Sequence, residues 1–253
     1  MLLTRQLDRL YDAMLALVYP TACAVCGVAD VGRRADAPAC AACWRETRVF
    51  TGAEPCCWKC GALALAAAPA AQLEALRCRR CEAEAFTAAR AVGVYEGALR
   101  AAVLRLKREP QVSARLARLL TRAQQRAPLN VASRILPVPL HPARERERGF
   151  NQATLLARAV ATRTGLPLDT RSLVRTTHTA QHRAGMDARA RRETVAAAFA
   201  VARPRLVAGE RVLLVDDVFT TGATASTCAQ VLIEAGAAAV YVLTVARAEK
   251  NRG

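Results

Sequence analysis

The sequence predicts an α/β protein, a parallel sheet flanked by helices, with a small cysteine-rich module ahead of it. Three observations carry that reading. Short apolar runs such as Val212-Leu213-Leu214-Val215 have the composition of strands buried on both faces. Amphipathic helical stretches alternate with these runs, as they do in parallel β-α-β units. Nine of the ten cysteines lie before residue 82, in or beside four CxxC pairs. The expected division places an N-terminal helix and the cysteine module in residues 1–85 and the α/β domain in residues 86–253.

Leu3, Leu7, Leu10, Met14, Leu17 and Val18 recur at helical spacing and predict an opening amphipathic helix that packs against the rest of the chain. The cysteines follow. Each CxxC turn sets two thiolates one coordination edge apart, and two such turns complete a tetrahedral zinc site. Sequential pairing puts Cys23, Cys26, Cys40 and Cys43 on one zinc and Cys57, Cys60, Cys78 and Cys81 on the other. An interleaved cross-brace is the alternative. Four thiolates leave no open position for water, so both sites are expected to be structural. Cys56 has the wrong spacing to Cys60 and reads as a bystander. Residues 62–76 read as a loop or a short helix. Replacing Cys43 or Cys60 by serine is expected to unfold this module and spare the larger domain, which has its own core.

In that domain Ala88–Val94 reads as a strand, followed by a helix from about Gly97 that Pro110 ends, and a second helix over 111–126. Ile135–Leu140 predicts a core strand running into a loop, 141–152. There Arg144, Arg146 and Arg148, closed by Gly149, suggest a rigid cationic pocket suited to pyrophosphate. The plainer alternative is a solvated charge run balanced by Glu145 and Glu147. Gln152–Thr164 predicts a helix, Cys228 a small core residue, and Ala239–Val245 a last buried strand.

The most informative stretch runs from Arg211 to Thr224: a buried strand, Asp216 and Asp217 at its end, a turn through Thr220, Thr221, Gly222, Ala223 and Thr224, then a helix. Hydroxyls, backbone N–H groups near Gly222 and the positive helix end can surround one phosphate. The carboxylates, with no basic partner close in sequence, suit sugar hydroxyls or a divalent cation. A mere helix cap would need one such residue, where five stand within nine positions.

This stretch resembles the phosphoribosyl-pyrophosphate signature of type I phosphoribosyltransferases. The resemblance implies that Asp216 and Asp217 hold the ribose hydroxyls and that Thr220 to Thr224 take the 5′-phosphate. With Val138-Pro139-Leu140-His141-Pro142-Ala143-Arg144-Glu145-Arg146-Glu147-Arg148-Gly149-Phe150-Asn151-Gln152, and with Tyr95-Glu96-Gly97 and Leu104 to Lys107, it narrows to the ComF family, competence-associated proteins that join a cysteine ribbon module to a phosphoribosyltransferase-like domain. The resemblance covers about Leu17 to Val245. It implies phosphoribosyl pyrophosphate with Mg²⁺ as substrate or ligand, Arg144, Arg146 and Arg148 on the departing pyrophosphate, and a mobile loop with Arg175, Gln181 and Arg191 closing over the site. Thr194 stands where members carry asparagine, which weakens the case for catalysis by that loop more than the case for binding.

The formal net charge of +16 is lopsided: residues 86–253 carry 27 basic against 12 acidic side chains. Such a surface attracts phosphate-rich partners, single-stranded DNA among them. An alanine- and arginine-rich chain can also reflect coding bias alone, and an aromatic content of 4% leaves little for base stacking. The rival to a transferase is therefore a non-catalytic DNA-binding or scaffolding competence factor that keeps the phosphoribosyl site. A third reading gives the cysteines to contacts with other competence or recombination proteins. No run of about 20 apolar residues and no secretion-type segment stands in the sequence, so the expectation is a cytoplasmic protein without stable membrane insertion.

Overall fold

The computed structural model describes residues 22–28, 31, 34–64, 76–176 and 198–249. The helix expected over the first twenty residues lies outside them, as does most of 62–76. The elements are α1 (Ala41–Glu46), β1 (Ala88–Val94), α2 (Gly97–Leu106), α3 (Ala114–Gln124), β2 (Arg134–Pro137), α4 (Pro142–Arg148), α5 (Gln152–Thr164), β3 (Leu173–Arg175), β4 (Phe199–Val201), β5 (Arg211–Phe219), α6 (Ala223–Glu234) and β6 (Ala239–Arg247).

Four strands form one sheet in the order β1-β6-β5-β2, and all three pairings are parallel. β3 and β4 make a separate antiparallel pair. Because successive side chains alternate between faces, each central strand feeds two cores at once. Ile135, Leu213, Val215, Leu243 and Val245 pack against Val103, Leu106, Leu120 and Leu156. On the other face Leu136, Leu214, Val240 and Val242 pack against Leu173, Phe199, Cys228 and Leu232. Full burial of each such side chain stabilises by about 1.5–3 kcal/mol. Cys228 is thus the core residue its position suggested.

The cysteines pair sequentially. The ligand atoms of Cys23, Cys26, Cys40 and Cys43 lie within 4.8 Å of one another, as do those of Cys57, Cys60, Cys78 and Cys81. The interleaved alternative is excluded. Both knuckles close the same way: Gly27 and Gly61 take φ of 70° and 72°, and their N–H groups donate to the carbonyls of Cys23 and Cys57. Cys40 N–H donates to Cys23 Sγ at 3.3 Å, and Cys78 N–H to Cys57 Sγ at 3.3 Å. Burial pushes both thiols up, yet the surrounding N–H groups outweigh it and hold Cys23 and Cys57 at about 6. Cys43 and Cys60 go the other way, with burial first and the neighbouring thiols next pushing Cys43 up to about 12, and burial pushing Cys60 up to about 11. One thiolate in each cluster is thus pre-set for zinc.

The cysteine module does not stand apart from the α/β core. Cys23, Cys43 and Trp44 are buried in the cluster on one face of the sheet, and Cys57, Cys60 and Cys81 in the cluster on the other. Backbone bonds stitch it to the outer edge of β1: Phe50 N–H donates to Val92 O, Val94 N–H to Arg48 O, and Ala89 N–H to Lys59 O. Thr47 Oγ1 accepts from Ala98 N–H at the start of α2.

The expectation that a cysteine substitution would spare the larger domain is therefore corrected, because the two parts share one interior. Cys60→Ser is expected to lower the melting temperature of the whole chain by about 10 °C or more, in one transition. Scanning calorimetry checks this; an α/β transition at the parent temperature would contradict it. Elemental analysis of the intact protein is expected to return two zinc per chain, as the two clusters require.

Candidate functional site

β5 is longer than its apolar run. It continues through Asp216 and Asp217 to Phe219, because β6 runs beside it that far: Asp216 pairs with Thr244, Val218 with Ala246 and Phe219 with Arg247. The acidic pair therefore lies within the strand rather than after it. The turn follows at once, and Gly222 with φ of 91° caps α6. Glycine is required there twice over. The φ is left-handed, and a Cβ would stand 2.8 Å from Phe219 Cζ. Ser226 N–H donates to Gly222 O as the first bond of the helix, so the backbone N–H groups ahead of it face out of the helix end. Thr220, Thr221 and Thr224 are exposed there beside Ala223. A small cleft of about 30 Å³ opens between the turn, Asp216 and Thr244.

Adjacent strand residues address different partners, and the two aspartates do so. Asp217 is buried toward the helix layer, where Lys107 Nζ lies 3.7 Å from its Oδ2 and Gln152 Nε2 donates to the same oxygen at 3.2 Å. No basic partner stands close to this pair in sequence, and the fold supplies one from a distance. Lys107 comes from the C-terminal end of α2, brought across by packing that no local sequence shows. Asp216 accepts from Asp217 N–H at 2.8 Å and faces the cleft. Burial, and then the neighbouring Asp217 carboxylate, push its carboxyl up to about 7.

Within 141–152, where a loop was expected, Pro142–Arg148 form a helix. His141 caps it by accepting from Ala143 N–H, Pro142 occupies the first turn, and Gly149 ends it with φ of 81°. Alanine, arginine and glutamate between those signals favour helix. Helical spacing puts Arg144 and Arg148 on one face and sends Arg146 about 200° away, so the three arginines do not line one pocket. Arg148 does reach the site: its Nη1 donates to Gln152 Oε1, and Gln152 in turn donates to Asp217. Arg144 and Arg146 are exposed. Asn151 caps α5 and ties it to β2's end by donating to Val138 O.

Arg175 ends β3 with its guanidinium 5.3 Å over the Phe199 ring. Gln181, Arg191 and Thr194 lie outside the described residues. Among those described, the site has two members the sequence reading did not choose, Lys107 and Gln152. A signal for the first was present: it is one of three lysines among 37 basic residues.

Behind the turn sits the second cysteine cluster. Phe219 meets Phe86 edge-on at 5.8 Å, Arg247 lies 4.7 Å over the Phe219 ring, and Arg247 Nη1 donates to Cys60 O. Ala85 N–H donates to Ser226 Oγ in the first turn of α6.

The raised Asp216 group yields a prediction. The folded chain keeps a proton there that the unfolded chain releases near 3.8, so stability falls as pH rises from about 4 to about 7. Asp216→Asn cannot ionise and is expected to melt above the parent at about pH 8, the gain vanishing near pH 4. Melting curves across that range check it; a gain independent of pH would contradict it.

A family model described as a double zinc ribbon domain matches residues 14–82. The DNA utilization protein YhgH of Salmonella typhimurium is 38% identical over 149 residues, 57% of this chain and 64% of its own length; the match spans less than two thirds of that relative. Competence protein F of Haemophilus influenzae is 31% identical over 218 residues, 83% of this chain and 90% of that protein. Among solved structures, the glutamine phosphoribosylpyrophosphate amidotransferase from B. subtilis, complexed with ADP and GMP, aligns with a TM-score of 0.37 at 22% identity, covering 51% of this chain and 25% of that one. With a relative matched over nearly its full length, the ribbon in place, and the same motifs now seen converging on one strand end, the chain belongs to the ComF family.

Proposed function

We propose that this protein binds phosphoribosyl pyrophosphate with Mg²⁺ at the end of β5 and acts in DNA uptake during natural competence, with transfer of the phosphoribosyl group to a nitrogenous acceptor as the reaction such a site permits. One observation carries the reading: the acidic pair, the glycine-capped threonine turn, and Lys107 converge at one strand end. Thr220, Thr221, Gly222, Ala223 and Thr224 take the 5′-phosphate at the helix end. Asp216 and Asp217 receive the ribose hydroxyls. Lys107 and Arg148, both already held toward Asp217, meet the negative charge that grows on the pyrophosphate side. Mg²⁺ bound beside the aspartates would neutralise further charge on the diphosphate.

Asp216→Ala/Asp217→Ala is expected to weaken phosphoribosyl pyrophosphate binding in Mg²⁺ by tenfold or more, since each bond to a charged acceptor contributes roughly 1–3 kcal/mol. Folding should change little: Lys107 is exposed enough to be solvated alone, and relief of the crowded carboxylates offsets the missing bonds. Calorimetric titration with a parallel thermal melt checks this, and unchanged affinity would refute the site.

A second reading, single-stranded DNA binding without catalysis, is favoured by a cleft of about 270 Å³ between the first ribbon and α2, lined by Arg100, Arg105 and Arg108. Arg105 is paired with Glu109, which leaves Arg100 and Arg108 to meet phosphates. Arg100→Ala/Arg108→Ala is expected to flatten the salt dependence of binding by about 1.4 in log–log slope, because two phosphates would no longer be neutralised. Anisotropy with a labelled oligonucleotide checks it; no binding by the parent at low salt would remove the reading.

A further inference from the structure

A second cavity, of about 80 Å³, lies away from the threonine turn, where the cysteine module meets the outer edge of β1. The module covers that edge at two places, through Lys59 on Ala89 and through Val49 and Phe50 on Gly93 and Val92. Between them Arg90 and Ala91 face an unfilled space. Its walls are Phe50, Trp58, Cys56 and, from the C-terminal end of α3, Ala123 and Arg126.

The chemistry of the walls is specific. Arg90 lies 4.9 Å over the Trp58 ring and donates through Nη1 to the carbonyls of Trp58 and Ala89. Its Nη2 is shut from solvent and finds no partner among the described residues. Arg126 is anchored by donating to Phe50 O. Glu54, the one acidic residue on the wall, is already engaged: its two oxygens accept from Thr51 N–H, Thr51 Oγ1 and Gly52 N–H. The cavity thus offers flat apolar walls beside two positioned guanidinium groups. An anion entering it meets their positive charge, and a shift of the Arg90 head would bring its unpartnered Nη2 to a charge-assisted bond.

We propose that this cavity is a second binding site, taking a small molecule with one anionic group on a flat aromatic body, the anion at Arg90 and Arg126 and the ring against Trp58 and Phe50. The site does not depend on the reading of the threonine turn. A nucleoside monophosphate and an aromatic carboxylate both have this chemistry.

Cys56 makes the test direct. Eight of the other cysteines form the metal clusters and Cys228 is fully buried, so in the zinc-loaded protein Cys56 is the half-buried thiol left to report on the cavity. Its alkylation rate, read by peptide mass spectrometry, is to be followed with dAMP, indole-3-acetate, deoxyadenosine or inorganic phosphate at millimolar concentration. At least one of the two aromatic anions is expected to slow labelling by about tenfold, with deoxyadenosine and phosphate much weaker. Which of the two acts identifies the source. Arg126→Gln should abolish the protection, and Arg90→Gln should do likewise if its melt matches the parent. Asp216→Ala/Asp217→Ala should leave it intact while losing phosphoribosyl pyrophosphate. The proposal is overturned if neither aromatic anion slows labelling, if phosphate alone does as well, or if protection survives Arg126→Gln.

Discussion

Two four-thiolate clusters, set on opposite sides of one parallel sheet, hold the ribbon segments against it. A parallel sheet exposes two apolar faces and an open edge, and each must be covered. Here helices cover most of both faces, and the ribbons complete them: Cys43 and Trp44 on one side, Cys57, Cys60 and Cys81 on the other. The segment that carries the cysteines is too short and too poor in large apolar residues to hold such positions by burial alone. Metal-competent thiolates, pre-set by backbone N–H groups, supply what the apolar content lacks.

The same reliance on rigid elements shapes the candidate site. Helices and strands deliver Lys107, Gln152, Asp216 and the threonine turn to one strand end, so little of it depends on free loops. Asp217 is held by Lys107 and Gln152, whereas Asp216 is left in a poorly solvated cleft with its charge disfavoured. Two identical side chains, one residue apart, thereby acquire different characters from the pleat of a strand.

What could be read from the sequence was what is local. The four CxxC pairs, the Thr-Thr-Gly-Ala-Thr turn into a helix, the strand at Ala88–Val94 and the helix at Gln152–Thr164 are each specified by neighbours within a few residues, and each stands where its pattern put it. What could not be read was set by distant packing or by competing local signals. Lys107 meets Asp217 across more than a hundred residues of chain. The extension of β5 past its apolar run depends on the length of β6, which lies beside it only in the fold. Alternating charges in 142–148 read equally as loop or helix until His141 and Gly149 are seen as its caps. The shared core of ribbon and sheet was invisible for the same reason: the edge pairing of residues 48–50 with β1 leaves no periodic trace in so short a segment.

Phe219 touches the space above Gly222, carries Arg247 on its ring, and through it reaches the carbonyl of Cys60. A knuckle that looks like remote scaffolding is therefore joined to the threonine turn through two side chains. The turn and the ribbon's seat on the sheet are built as one piece, because the ring that closes over Gly222 also carries the guanidinium that holds Cys60.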